Sequence, residues 1–143
     1  MDEKLKNLYK KVILQHNKEP YHYEKPAHFD LKLEADNPVC GDRFELFFIL
    51  HENIIQQGYF QGYGCAISKA ATSILLQKIE NHSKTDALNI IREFLDFVKN
   101  TNSTITLEEL DEALQAFAAA RDFPERQNCV TLSWETLEKY LES

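Results

Sequence analysis

The sequence predicts an α+β fold, in which helices pack on one face of a small three-stranded antiparallel sheet. Two patterns of apolar residues support this prediction. Between residues 27 and 61, apolar and aromatic side chains alternate with polar ones or run almost continuously, as they do in strands. On both sides of this stretch they recur every three or four residues, as they do along the buried stripe of a helix. Strands grouped together and followed by helices are typical of the α+β class.

The first half of the chain contains the predicted sheet. An amphipathic helix near residues 2–16 opens the chain, and Pro20 prevents it from continuing. After an irregular connection, a strand with one polar face covers residues 27–34. A nearly continuous apolar strand follows at residues 44–50, and a hairpin returns the chain through residues 54–61.

Four helices are predicted after the sheet, each with its own apolar stripe. The first begins at Cys65 and has small residues on its inner face, and the second carries apolar side chains between residues 87 and 98. A capping box at Thr106–Glu109 indicates the start of the third. The last is expected to follow Cys129, after residues 123–128 interrupt the helical pattern.

Length, composition and charge restrict the class of protein. A chain of 143 residues fits a single domain spanning residues 1–143, and 43% hydrophobic with 27% charged residues is ordinary for a globular protein. A formal net charge of −7 argues against nucleic-acid binding. No apolar run is long enough to span a membrane, and the charged N-terminus does not have the pattern of a signal peptide. We therefore expect a cytoplasmic protein that binds neither nucleic acid nor membranes.

Three cysteines lie at predicted breaks in the chain. Cys40 belongs to the loop Asn37–Asp42, which we expect to be neither helix nor strand; Cys65 follows a Gly-Tyr-Gly sequence; and Cys129 follows a loop that starts at a proline. An odd number of cysteines cannot all pair within one chain, and a cytosolic protein would keep them reduced. Three unrelated buried thiols remain the simpler alternative. Their positions at chain breaks, where side chains can project, favour a chemical role.

These thiols, together with Asp42, form a possible set of metal ligands. Three thiolates and one carboxylate suit zinc, ferrous iron or an iron–sulfur cluster. Separations of 25 residues between Cys40 and Cys65, and of 64 between Cys65 and Cys129, exclude a local zinc knuckle, so the ligands would meet only through folding. The expected helix starts at the last two cysteines would favour their thiolates. Arg126 either adds positive charge near Cys129, contacts a partner, or is a solvated loop residue.

Three ordered motifs resemble those of the IscU/NifU-like iron–sulfur cluster assembly scaffold family, most closely its SufU branch. The likeness covers nearly the whole chain and rests on Asn37-Pro38-x-Cys40-Gly41-Asp42, Gly62-x-Gly64-Cys65-Ala66-Ile67-Ser68 and Arg126-x-x-Cys129. IscU proteins carry a histidine directly before the third cysteine, whereas this chain has Asn128 there. That difference, and the long segment between the second and third cysteines, resemble the SufU branch.

The resemblance implies a site and a function. By this likeness, zinc or a nascent [2Fe–2S] cluster is held by Cys40, Asp42, Cys65 and Cys129. It also implies that Cys40 accepts persulfide sulfur from a SufS-like cysteine desulfurase. Downstream partners would be apo iron–sulfur proteins or a SufBCD-like assembly complex. Whether the protein is a sulfurtransferase-type carrier or a non-enzymatic scaffold stays open at this stage.

Two other classes of function are consistent with the residues. A structural zinc-binding interaction domain would lose its fold without metal, whereas the apolar stripes here are sufficient for a core. An enzyme with a cysteine nucleophile would need a histidine to activate the thiol. The five histidines are scattered, and none is adjacent to a cysteine in the sequence.

Overall fold

The computed structural model describes residues 3–39, 41–100 and 102–143, with the backbone alone at positions 119 and 122. Within these residues, strands and helices follow the predicted α+β order. The helices are α1 (Glu3–Lys18), α2 (Ala66–Ile79), α3 (Lys84–Lys99), α4 (Glu112–Gln115) and α5 (Pro124–Glu142). The strands are β1 (Leu31–Asn37), β2 (Asp42–His51), β3 (Ile54–Tyr63) and β4 (His82–Ser83).

The sheet is antiparallel in the order β1-β2-β3-β4 and has four strands, so the prediction of three strands is wrong by one. The additional strand β4 is a two-residue segment between α2 and α3 that pairs with Ile54 and Ile55. The Asn81 amide donates to the Ile55 carbonyl at 2.7 Å, and the positive φ of Asn81 turns the chain along the edge of β3. Two residues are too few to show an alternating pattern in the sequence.

The core lies between the sheet and the helices, as predicted. Phe44, Leu46 and Phe60 of the sheet are fully buried, and Trp134 of α5 donates from its indole Nε1 to the carbonyl of Ala71 in α2 at 3.0 Å. On the opposite face of the sheet, the ring of Phe29, in the segment before β1, packs against the buried Phe47. Burying each such large side chain stabilises the fold by about 1.5–3 kcal/mol. None of the helices in the described part of the chain has the length and apolarity needed to span a membrane.

Helix α5 begins at Pro124, six residues before Val130, the first position after Cys129 at which the sequence predicts it. Pro124 occupies its first position, where a fixed φ and the missing N–H suit a helix start. The sequence prediction treated this proline as part of a break before Cys129. Cys129 therefore lies inside α5, in its second turn, and does not precede the helix.

The third predicted helix is divided into short segments. Its capping box forms, because the Glu109 carboxylate accepts from the Thr106 amide at 3.3 Å, but it starts only a 3₁₀ turn at Leu107–Glu109. Leu110 is extended, and the Asp111 carboxylate then accepts from the Leu114 amide at 3.1 Å to begin α4. The side chain of Asp111 thus caps a new helix at a position where the sequence predicts that the third helix continues.

A buried histidine joins α1 to α2. His16 Nδ1 lies 2.7 Å from Ser73 Oγ, which also accepts from the Tyr21 amide at 2.8 Å. Burial lowers the pKa of the His16 imidazole below its ordinary value. The folded protein therefore favours the neutral ring.

We predict that this histidine makes the free energy of unfolding depend on pH. The unfolded chain binds a proton near the ordinary pKa of about 6.5, and the folded chain binds it only at lower pH. The stabilisation is present above that pH and is lost as the pH falls through the folded pKa. Urea denaturation measured at several pH values across this range should show that the free energy of unfolding falls less steeply with decreasing pH for His16→Gln than for the wild type. His51→Gln, at an exposed hairpin position, is the control, and an unchanged slope in His16→Gln would contradict the assignment.

Candidate metal centre

Three predicted site residues meet at one place in the structure. A carboxylate oxygen of Asp42 and the sulfurs of Cys65 and Cys129 all lie within 4.8 Å of one another. They come from the start of β2, the N-cap of α2 and the second turn of α5. The β2–β3 hairpin and the packing of α5 on α2 bring together residues that are far apart in the sequence. Carboxylate oxygen and thiolate sulfur are both zinc ligands.

Asp42 is buried with its two carboxylate oxygens in different states. Asp42 is 3% exposed, and its Oδ1 accepts a hydrogen bond from the Cys65 amide at 3.0 Å. Its buried Oδ2 has no hydrogen-bond partner within residues 3–39, 41–100 and 102–143. Buried polar atoms are nearly always paired, because an unpaired one keeps its full desolvation cost. This oxygen therefore has the environment of a ligand for a cation.

Cys65 lies at the junction of β3 and α2, as the sequence predicted. Its backbone is extended, and its sulfur caps the helix by accepting from the Ser68 amide at 3.4 Å. The side chain is solvent-exposed. The unpaired amides of a first helical turn place partial positive charge near the N-cap.

Two glycines before Cys65 allow this close approach. Gly62 has a φ of +136°, and a Cβ there would lie 2.2 Å from the carbonyl oxygen of Arg43. A Cβ on Gly64 would lie 2.6 Å from Ser68 Oγ and 2.9 Å from Asp42 Oδ1. The space beside Gly64 is therefore filled by these two polar groups and by the ring of Phe44, whose Cζ would lie 2.8 Å from the added Cβ.

Cys129 is positioned by helix packing. The helix start expected at Cys129 is wrong, because α5 begins at Pro124 and places Cys129 in its second turn, beyond the first turn to which the effect of the macrodipole is confined. One turn after it, Ser133 Oγ lies 2.6 Å from Thr72 Oγ1 of α2, and this buried contact holds the two helices together. The half-buried Cys129 then faces Cys65 across the helix interface.

Arg126 lies one helical turn before Cys129 and is exposed. Its guanidinium forms a hydrogen bond with the phenol of Tyr9 on α1. Burial raises the pKa of the Tyr9 phenol; the bond and charge of Arg126 lower it, and the charges of Cys65 and Cys129 raise it. Tyr9 thus borders the centre, although no pattern in the sequence indicates a site role for it. It is 117 residues from Arg126, and no local pattern could link the two.

Cys40, the predicted sulfur acceptor, lies outside the described residues. On either side of it, the Gly41 amide donates to the Asn37 carbonyl at 2.8 Å, and the φ of Gly41 is +79°. Val39 is 92% exposed. The predicted irregular loop is shorter than expected, because Asn37 ends β1 and Asp42 begins β2.

The donor set fits a divalent metal such as zinc. A buried carboxylate oxygen that has no hydrogen-bond partner in the part of the chain that the structure describes lies beside two sulfurs, and a cation would have all three atoms as ligands. Among the described residues, this group contains no histidine. The fold and this centre together define an α+β protein with a candidate metal site built from two cysteines and a carboxylate.

Comparison with known proteins identifies the family. The family model described as the NifU-like N terminal domain matches residues 8–130. The chain belongs to the NifU-like N-terminal domain family, which confirms the resemblance found in the sequence.

Relatives within this family are similar over nearly the full chain. The protein named zinc-dependent sulfurtransferase SufU from Bacillus subtilis is 36% identical over 137 residues, covering 94% of this chain and 90% of that protein. The iron–sulfur cluster assembly scaffold protein IscU of Streptococcus pyogenes is 32% identical over 136 residues, covering 95% and 84%. A crystal structure from Fervidobacterium islandicum, described as an assembly scaffold protein for the SUF system, has a TM-score of 0.83 at 27% identity and covers 94% and 97%.

We predict that Gly64→Ala weakens metal binding without unfolding the protein. The φ of Gly64 lies outside the left-handed region, so the added methyl acts through its contacts, which are Ser68 Oγ and Asp42 Oδ1 at the centre and Phe44 Cζ in the core at 2.8 Å. Competition with a chromophoric chelator should show about a tenfold loss in zinc affinity, the scale expected when the support of a ligand is disturbed. Gly58→Ala is the control, because its methyl would contact Leu76 in the core and lower stability alone. Wild-type zinc affinity in Gly64→Ala would contradict the prediction.

Proposed function

We propose that this protein accepts sulfur for iron–sulfur cluster assembly and holds zinc at the described centre. The observation that carries the proposal is the buried Oδ2 of Asp42, which has no hydrogen-bond partner among the described residues and lies beside the thiols of Cys65 and Cys129. Cys40 would complete the ligand set. We further propose that residues 1–143 act as one domain and that the protein works in the cytoplasm.

The chain prepares these ligands before a metal binds. The Cys65 amide fixes Asp42 through Oδ1, so that Oδ2 is left for the metal. The cap of α2 fixes the sulfur of Cys65, and the packing of α5 fixes that of Cys129. When bound, zinc would hold the cysteine sulfurs as thiolates and offset the buried carboxylate charge.

In the proposed reaction, Cys40 takes the terminal sulfur of a persulfide on a cysteine desulfurase. The Cys40 thiolate attacks that outer sulfur, the sulfur–sulfur bond of the desulfurase persulfide breaks, and the desulfurase cysteine leaves as a thiolate. One sulfur–sulfur bond forms as another breaks, so the step needs no oxidant. The exposed Val39 and the open space around Gly41 support access to this turn.

A SufS-like desulfurase is the proposed partner for this step. Val39 and Tyr63 are exposed apolar side chains, on the turn before Asp42 and on β3 directly beside Arg43. Such side chains can dock against the mouth of a partner's active site. The accepted sulfur would pass to apo iron–sulfur proteins or to a SufBCD-like complex. Arg126 is proposed to support the centre by placing positive charge next to the thiols, where Tyr9 holds it.

A scaffold for nascent [2Fe–2S] clusters is the second candidate. The same sulfur and oxygen donors can hold a cluster as cargo, and one relative is named a scaffold. A purely structural zinc role is less well supported, because the core is already extensive without a metal. A histidine-activated cysteine enzyme is disfavoured, because the described cysteine–carboxylate group contains no histidine.

The test is metal and acid-labile sulfide content of anaerobically purified protein, followed by incubation with a SufS-like desulfurase and cysteine. We expect one zinc per chain, no sulfide, and one added sulfur that peptide mass spectrometry locates on Cys40. Asp42→Ala should lose the zinc, and Cys40→Ser should lose the persulfide. Asp36→Ala removes an exposed carboxylate of β1 and serves as the matched control.

Each alternative gives a different result in this experiment. Iron with equimolar sulfide, retained or stabilised in Asp42→Ala, would support the scaffold and contradict the zinc-bound carrier. Zinc that is retained while no cysteine becomes persulfidated would contradict the carrier as well. No metal and no reactive thiol would contradict both candidates and leave three unrelated cysteines.

A further inference from the structure

Ser68, in the first turn of α2, places two polar groups against the sulfur of Cys65. It is 1% exposed, its amide nitrogen lies 3.4 Å from Cys65 Sγ, and its Oγ lies 3.5 Å from the same sulfur. Oγ also donates to the Cys65 carbonyl at 3.0 Å. Both polar groups of this residue therefore converge on one candidate ligand.

Helix capping alone does not explain this arrangement. The amide of Ser68 needs a cap, but an oxygen side chain at position 65 would accept from it better than a sulfur does. The hydroxyl is not needed for the cap at all. A residue choice that weakens the local structure is typical of a functional position.

The hydroxyl of Ser68 also shares space with the carboxylate of Asp42. Both groups lie against Gly64, so a Cβ there would approach Ser68 Oγ to 2.6 Å and Asp42 Oδ1 to 2.9 Å. The Cys65 amide donates to the same Oδ1. Asp42, Cys65 and Ser68 therefore form one packed, hydrogen-bonded unit around a glycine.

We propose that Ser68 is a positioning residue, which holds the Cys65 sulfur in place for the metal. Its amide donates to this sulfur; its hydroxyl, which in this structure accepts from the Cys65 thiol and donates to the Cys65 carbonyl, would turn to donate to the sulfur once that sulfur is a metal-bound thiolate. Hydrogen bonds to an ionised acceptor are stronger than neutral ones, so this contact strengthens when the metal binds. Ligands whose own partners are fixed in advance lose less freedom on binding. This inference rests on the proposed function, because it requires that the centre binds a metal.

The test compares Ser68→Ala with Ser73→Ala in the full-length chain. Both variants remove a fully buried hydroxyl from α2, but Ser73 contacts His16 and Tyr21, away from the thiols. Chelator competition should show about a tenfold loss of zinc affinity for Ser68→Ala and none for Ser73→Ala. In the cobalt-substituted protein, the sulfur-to-cobalt charge-transfer band should move to lower energy in Ser68→Ala alone. A sulfur lone pair that loses a hydrogen-bond donor rises in energy, and a general loss of stability would not cause this shift.

Specific results would overturn the inference. If Ser68→Ala matches the wild type in both zinc affinity and band position, Ser68 has no positioning role. An equal loss of zinc affinity in Ser73→Ala would mean that the effect comes from a change in the whole helix α2 and not from the contact of Ser68 with Cys65. A wild type that binds neither zinc nor cobalt would overturn the proposed function and this inference together, whereas a metal-binding wild type with an unaffected Ser68→Ala would overturn this inference alone.

Discussion

The two oxygens of Asp42 have different partners, and the arrangement of the centre depends on this difference. Oδ1 accepts a hydrogen bond from the amide of Cys65, and this hydrogen bond connects the first residue of β2 to the start of α2. Oδ2 is equally inaccessible to water and has no partner within the described ranges. A buried charge of this kind is costly unless it is compensated. The carboxylate therefore fixes the local structure through one oxygen and leaves the other available to a cation.

The remainder of the fold holds this carboxylate close to two thiols. The pairing of β2 with β3 brings Gly62 and Gly64 against the start of β2, where only a residue without a side chain leaves enough room. Buried hydroxyl and indole contacts fix α5 against α2 and so place Cys129. These contacts belong to an extensive apolar core, so the burial of apolar side chains supplies folding free energy to this part of the chain. This differs from small zinc domains, in which the metal supplies the folding free energy.

Local signals in the sequence predicted those parts of the fold that depend on local interactions. The periodicity of α1 and α3, the strands β2 and β3 and the helix start at Cys65 are all confirmed. Segments whose structure depends on neighbours were missed. The strand β4 exists only because β3 offers it an edge, and α4 begins where Asp111 caps a new turn.

The candidate site shows the same division. Residue types and family motifs selected Asp42, Cys65 and Cys129, but the sequence could not give their separation, which depends on how α5 packs on α2. It also mistook Pro124 for a helix break, although a proline is equally suited to the first position of a helix. Ser68 was part of a recognised motif, and its three-residue spacing from a helix-capping cysteine was the available signal for its role. Tyr9 had no such signal, because only the folded chain brings it to Arg126.

The central claim is that Asp42 Oδ2 is a metal ligand. The most direct measurement is a crystal structure of the zinc-loaded protein, with anomalous diffraction collected at the zinc absorption edge. If Oδ2 is a ligand, one anomalous peak will lie about 2.0–2.2 Å from it and about 2.3 Å from the sulfurs of Cys65 and Cys129. Zinc bound to the cysteines with Asp42 still directed only at the Cys65 amide, or zinc bound elsewhere, would contradict this claim.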